Sequence, residues 1–357
     1  EAMAAIHPHV MVIEDLHWAD EALVDFLAYL ARRSVESPIL LIATARPELF
    51  TDHPDWGAGL RDATSVALAP LADGDAAQLL GSLLPGRLMD AAAQERLLER
   101  CGGNPLHLVE FVRLAEEQGE LDRLGDGTLP LPDSVQAVVA ARLDLLEPEA
   151  KAVLRTAAVV GKVFWDGVLA FALPIQRSDV RAALEALSSR DLVRPSRQST
   201  MEGEEEWSFT HSVIRDVAYG QLTKAERRSR HEAVARWLEA VAGERSVDVA
   251  EVLAHHYGAA LDGATDPPVD LQERAYAALM AAGTRTEALN TARAAAYYVA
   301  AAPLSSSDRE RGRAWLAAAD IFGAVERTRH AATEAIEAFR EAGLPGDEAH
   351  AWAVMAS

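Results

Sequence analysis

Cysteine is almost absent from this chain. Cys101 stands alone among 357 residues, which excludes intrachain disulfides and the paired thiols of a zinc ribbon and fits a reducing cytoplasm. Long apolar runs are missing too. No stretch of 18 apolar residues exists to span a bilayer, and the opening EAMAAIHPHV has neither the basic flank nor the apolar length of a signal peptide. No membrane partner is expected. Basic charge is scarce, with 34 Lys and Arg against 55 Asp and Glu and a net charge of −21. Affinity for nucleic acid comes largely from cations that displace counterions, so a phosphate backbone is not expected as the main partner. The phosphate-loop pattern G-x-x-x-x-G-K-S/T is also missing. Gly161 and Lys162 in VVGKVF come nearest, but Thr156 occupies the first glycine position and Val163 replaces the hydroxyl residue. A serine-hydrolase elbow, G-x-S-x-G, is absent as well. The first residue is Glu rather than Met, and the chain is read as a fragment whose N-terminus lies upstream.

What is present is ordinary globular composition, half hydrophobic and a quarter charged, with an Ala and Leu bias that favours helices. The length allows two to four domains. Residues 10–13 (VMVI), 39–44 (ILLIAT) and 64–69 (TSVALA) are short apolar runs. Between the first two, DEALVDFLAYLARR places Leu23, Phe26, Leu27 and Leu30 at helical spacing. Strand, helix, strand predicts a parallel sheet buried on both faces, here over residues 1–71. Residues 72–128 read as a compact helical module broken by Gly102, Gly103 and Pro105. The link RLGDGTLPLPDS then offers Asp133 or Ser134 as a helix cap. Within 129–222, helices near 134–146, 148–160 and 178–190 precede two short strands, DLVRPS and EWSFTH, which predicts a winged helix. Residues 223–357 are helical throughout, with AAG, FGAVE and EAGLPGDEA as turns. Helix pairs at 271–302 and 309–342 have the length of tetratricopeptide repeats, and the last helix reads as cut short. The fold class expected is therefore multidomain: a partial α/β P-loop NTPase core, a helical lid, a winged helix and an all-α superhelix.

Glu14 and Asp15 end the first apolar run. Carboxylates at the C-terminal edge of a parallel strand sit where such sheets bind ligands, and can hold Mg²⁺ and orient a water. The alternative is an exposed acidic pair at a helix entry. His17 and Trp18, just after the acids, could face the ligand or close the top of the sheet, and Trp18 is expected to pack. Thr44 and Arg46 leave the second strand in LLIATARPEL, where a guanidinium could bind a terminal phosphate with two hydrogen bonds or merely be solvated. Gly103, Asn104 and Pro105 make a good helix stop and start whatever else they do. His211 ends the second wing strand. His255 and His256 in EVLAHHYGAAL have no carboxylate and thiol set at ligand spacing and read as helix packing. The basic cluster KAERRSRH, 224–231, reads as a solvated helix face.

These motifs together, from VMVIEDLHWADEALVDFLAYLARR through PILLIATARPEL, GGNPLHLVEF, LPDSVQAVVAARLDLL and FTHSVIRDVAYGQL, resemble the STAND-class signal-transduction ATPases related to AAA+ proteins. The nearest type is the bacterial regulators joined to nucleotide cyclase or LuxR-type output domains. The resemblance implies that Glu14 and Asp15 are the Walker B pair, Glu14 at the Mg²⁺ position and Asp15 polarising water, so that both are metal residues and Asp15 is catalytic. It makes Thr44 and Arg46 the sensor 1 residues beside the γ-phosphate, with Arg46 counted as catalytic. Gly103, Asn104 and Pro105 become the lid element beside adenine, and His211 becomes a latch on the β-phosphate of ADP. The implied cofactors are ATP or ADP and Mg²⁺.

The implied function is an ATP-driven regulatory switch in the full-length protein, acting on an upstream or downstream output domain. A protein partner or effector would bind the repeats, and the switch would form a nucleotide-dependent oligomer. Without a Walker A loop the isolated chain is expected to be inactive, and the competing reading is a non-catalytic interaction module. Direct DNA binding is not expected. The would-be recognition helix sets Asp179, Glu185 and Asp191 against Arg181 and Arg190, the wrong charge for a phosphate-lined groove.

Overall fold

A computed structural model describes residues 7–19, 21–33, 37–60, 62–87, 89–130, 132–322 and 325–356. The chain divides into two compact units, Glu1–Ala69 and Pro70–Ser357. It is mostly helical, with short strands, and no helix among the described residues is long and apolar enough to cross a membrane.

In the first unit β1 (His9–Ile13) and β2 (Ile39–Ala43) pair in parallel, His9 opposite Ile39 and Ile13 opposite Ala43. Between them run a 3-10 turn, Leu16–Trp18, and α1 (Glu21–Arg33); a short helix, α2 (Leu49–Asp52), follows β2. The core is small: Leu16, Val24, Leu27 and Leu49. Burial of the sheet on both faces is not what the structure shows. Val10 and Val12 are 64% and 56% exposed, and Leu40 and Ile42 are also open. One helix covers only one face of two strands, and residues 64–69, the third apolar run, form no strand; Val66 and Leu68 are exposed. On α1 the buried stripe is Val24 and Leu27, whereas Leu23 and Phe26 face solvent. The helical period is right and its phase differs by one position.

The second unit begins with α3 (Asp73–Leu83), α4 (Ala91–Cys101), α5 (Pro105–Glu117) and α6 (Leu121–Gly125) around Leu80, Leu97, Leu108, Phe111 and Leu124. The expected cap is Ser134, whose hydroxyl accepts the Ala137 amide at 3.2 Å at the start of α7 (Val135–Asp144). After α8 (Pro148–Val160), ended by Gly161, come β3 (Val163–Trp165), α9 (Asp166–Ala172), α10 (Arg177–Ser189), β4 (Val193–Pro195), β5 (Glu206–Phe209) and α11 (Ser212–Gly220). The strands pair antiparallel in the order β3-β5-β4, so the expected two-stranded hairpin gains a third strand. At three residues β3 is too short to show alternation in sequence.

Two buried charge clusters fasten this region. Asp166, fully buried, accepts from Arg177 (Nε, 2.6 Å), Arg181 (Nε, 3.0 Å) and the Glu205 amide (2.9 Å). Arg142, 1% exposed, pairs with the fully buried Glu110, and donates to Glu117 Oε1 (2.6 Å) and the Arg190 carbonyl (2.7 Å). It thereby ties α5, α7 and the end of α10 together.

Seven helices follow: α12 (Lys224–Ala242), α13 (Ala250–Leu261), α14 (Val269–Thr286), α15 (Thr291–Ala301), α16 (Asp308–Ile321), α17 (Val325–Glu341) and α18 (Pro345–Ala356), each packed on the next. Thr223 and Glu226 form a reciprocal capping box at the start of α12. The segment 224–231 is not a solvated face. Arg230 donates to Thr156 Oγ1 (3.0 Å), Arg227 lies 4.5 Å over the Tyr219 ring and His231 is buried, because this side of α12 packs against α8 and α13. The expected turn at FGAVE lies partly outside the described residues. Glycines let two helix pairs close. A Cβ on Gly283 would fall 2.4 Å from the Tyr298 ring, and one on Gly312 2.7 Å from the Phe339 ring.

Candidate functional site

The ends of β1 and β2 bring four of the expected residues together. The Thr44 amide donates to the Ile13 carbonyl (2.9 Å) and the Leu16 amide to the Thr44 carbonyl (2.8 Å), so the ladder continues past both strands. Between these bonds the chain turns sharply at Asp15, whose φ of 58° lies in the left-handed region. A non-glycine residue held there is unusual and costs about 1 kcal/mol or more. Its amide donates to Thr44 Oγ1 at 3.2 Å, so the Thr44 hydroxyl shapes the carboxylate-bearing turn. Leu16, 1% exposed, anchors the turn below, and Glu14 is exposed while Asp15 is half-buried.

His17, which the sequence left open between facing the ligand and closing the top of the sheet, holds the backbone at Arg46. Its Nδ1 accepts the Arg46 amide at 3.3 Å, which leaves the ring proton on Nε2 and fixes the backbone from which Arg46 projects. The bond was hidden because its partners lie 29 residues apart. Trp18 does not pack as expected: it is 77% exposed, its ring 5.2 Å from His17, because the buried position of this 3-10 turn is taken by Leu16.

Two carboxylates and a hydroxyl on adjoining strand ends form a hard-oxygen donor set. It fits Mg²⁺, which binds through one or two carboxylates and completes its shell with water and phosphate oxygens. Arg46, two residues past Thr44 on the same strand end, is exposed.

The other expected residues belong to the second unit. Gly102 and Gly103, at φ 57° and 71°, end α4 in left-handed geometry. Asn104 caps α5, its Oδ1 accepting the His107 amide at 3.2 Å, and Pro105 is the first helical residue. The Gly103 carbonyl accepts the Leu71 amide at 2.8 Å, and a Cβ at Gly103 would meet the Leu71 carbonyl oxygen at 2.5 Å. Gly103→Ala is therefore expected to cost about 1–3 kcal/mol in urea unfolding, and a variant that melts with wild type would count against this packing. His211, half-buried, sits between β5 and α11, where its carbonyl accepts the Ile214 amide.

No family model matches the chain. An uncharacterised protein of Rhizobium meliloti (strain 1021) is 29% identical over 244 residues, 65% of this chain and 22% of that protein. Among solved structures, a STAND protein with a tetratricopeptide repeat sensor from Pyrococcus horikoshii aligns over 97% of this chain and 64% of its own, with a TM-score of 0.45 and 14% identity. The chain thus spans under two thirds of the length of either.

Proposed function

We propose that this chain is part of an ATP-driven signal-transduction switch of the STAND class. The observation that carries the proposal is the strand-end constellation of Glu14, Asp15, Thr44 and Arg46, locked by the Asp15 amide on Thr44 Oγ1. Bound Mg²⁺ would screen the phosphate charge. The chain's own residues would divide the remaining work. Glu14 holds the cation directly or through water, Asp15 orients and polarises the attacking water, Thr44 fixes Asp15, and Arg46 reads the terminal phosphate.

In this proposal residues 1–71 are the C-terminal part of the P-loop core and 72–128 a lid bearing Gly103, Asn104 and Pro105. Residues 129–222 are a winged helix with His211 at its end, and 223–357 are tetratricopeptide-like repeats for a protein partner or effector. The apolar surface left open on the first unit, Val10, Val12, Leu40 and Ile42, supports further strands supplied by sequence beyond these 357 residues, with the phosphate loop among them. The output, a cyclase or a transcription regulator, would then be attached or recruited. The winged helix serves intramolecular packing rather than DNA: Arg181 of the would-be recognition helix is spent on buried Asp166, and Asp191 pairs with Arg113.

Calorimetric titration tests this. The 357-residue chain is expected to bind Mg-ATP weakly or not at all, because the backbone amides and lysine of a phosphate loop supply most of the affinity. A chain extended upstream through a G-x-x-x-x-G-K-S/T should bind in the micromolar range. In it Asp15→Asn should lower hydrolysis about 100-fold or more with binding retained. An upstream sequence without such a loop, or an extended chain that ignores ATP, would replace this proposal with a purely interacting module.

A further inference from the structure

Three imidazoles meet where α12 and α13 pack, beside Tyr219 of α11. His231 on α12 is 3% exposed and His256 on α13 is 2% exposed, while His255 opens to solvent. One nitrogen from each can be chosen so that all three lie within 4.8 Å of one another. Consecutive helical residues project about 100° apart, and His231 fills the wedge between the rings, 5.8 Å from His255 and 5.1 Å from His256 between centroids.

The inner contact is the informative one. His231 Nδ1 and His256 Nδ1 are 2.8 Å apart, a distance at which two bare lone pairs, or two protons, repel. Either one proton or one cation must lie between them. The opposite nitrogen of His231, Nε2, is 3.1 Å from the Tyr219 hydroxyl. With its proton on Nε2 facing that oxygen, His231 presents an inward lone pair, the outer-sphere arrangement that orients a ligating histidine.

We infer that His231, His255 and His256 form a binding site for a divalent transition-metal ion of the zinc class, with Tyr219 positioning His231 and the solvent side left open for a water ligand. Three imidazoles without carboxylate or thiol select such ions over Mg²⁺ or Ca²⁺. Zinc–nitrogen bonds of about 2.0–2.1 Å place tetrahedral ligand atoms about 3.3 Å apart, between the inner separation and the outer limit seen here, so small ring rotations complete the set. The charges of Arg215 and Arg227, which act on the cluster, oppose a cation. A bound ion would staple α12 to α13 at the start of the helical array, a role independent of nucleotide chemistry.

Co²⁺ is the probe. The 357-residue chain, stripped with chelator and titrated, is expected to develop the visible absorption of a four-coordinate site of three nitrogens and one water at one equivalent, displaced by Zn²⁺. His255→Ala, at an exposed position, should leave the far-ultraviolet circular dichroism unchanged and weaken Co²⁺ binding about tenfold or more. Tyr219→Phe should shift the band and weaken binding less than His255→Ala. No visible band at millimolar Co²⁺, or an unchanged titration in His255→Ala, overturns the site.

Discussion

Glu110→Ala is expected to destabilise the second unit by about 3–5 kcal/mol, the cost of leaving a buried charge without its partner. Glu110 is fully buried, and one carboxylate oxygen takes Arg142 while the other accepts Arg113 at 3.1 Å. After truncation Arg142 keeps Glu117 and the Arg190 carbonyl but remains desolvated with one carboxylate lost. Urea unfolding should show a lower midpoint. Adding Arg142→Met should restore most of the loss, since an apolar residue of similar volume removes the orphaned charge instead of exposing it. A single variant within 1 kcal/mol of wild type, or a double variant worse than both singles, would refute this role. Arg142 also joins α5 to the end of α10, so partial proteolysis of Glu110→Ala should begin near residues 119–130 and 190–191.

Acidification between pH 7 and pH 5 is the second large effect. Burial, with His255, Arg227 and Arg215, pulls His231 down to about 4, and burial with His231 and His255 pulls His256 to about 3. Unfolded histidine titrates near 6.5 (approximately). Below that value the unfolded chain takes up protons that the folded chain refuses, so stability is full above pH 7 and falls as pH drops through the unfolded value. By pH 5 the two residues account for on the order of 3–4 kcal/mol, or roughly 10 °C in melting temperature, measured with chelator present. His256→Gln should halve the slope. Asp166 works in a different window. Hydrogen bonds from Arg177, Glu205 and Arg181 outweigh its burial and hold it at about 2, so its contribution is present above its usual range and is lost only as pH falls from about 4 towards 2. A melting temperature flat from pH 7 to 5 would show that the buried imidazoles do not behave as described.

Much of the helical architecture was legible because helix periodicity and its punctuation are local. Ser134 as a cap and Pro105 as a start can both be read within four residues. What was not legible depends on distant partners. The phase of α1 is set by which face meets Leu16 and Leu49, and the three-residue β3 exists only because β5, more than 40 residues on, pairs with it. The strand-end residues Glu14, Asp15, Thr44 and Arg46 were each visible, but the Thr44 hydroxyl under Asp15 and the His17 ring under Arg46 were not. His231 was hidden inside a run of arginines that reads as a solvated face, and its two partners are 24 and 25 residues away. The buried Arg142 and Glu110 carried no signal at all, since charged residues on amphipathic helices are ordinarily solvated.

The glycine notches at Gly283 and Gly312 bear on how the helical array can move. A tyrosine ring seated where no side chain can stand cannot slide one turn along its neighbour, because the next residue presents a Cβ; the same holds for Phe339. Each helix pair is thus keyed in register, like a tooth in a single slot. Flexing of the array is left to the joint between the keyed pairs, α15 on α16. A partner gripping one end would swing whole pairs as levers, without shearing the helices inside them.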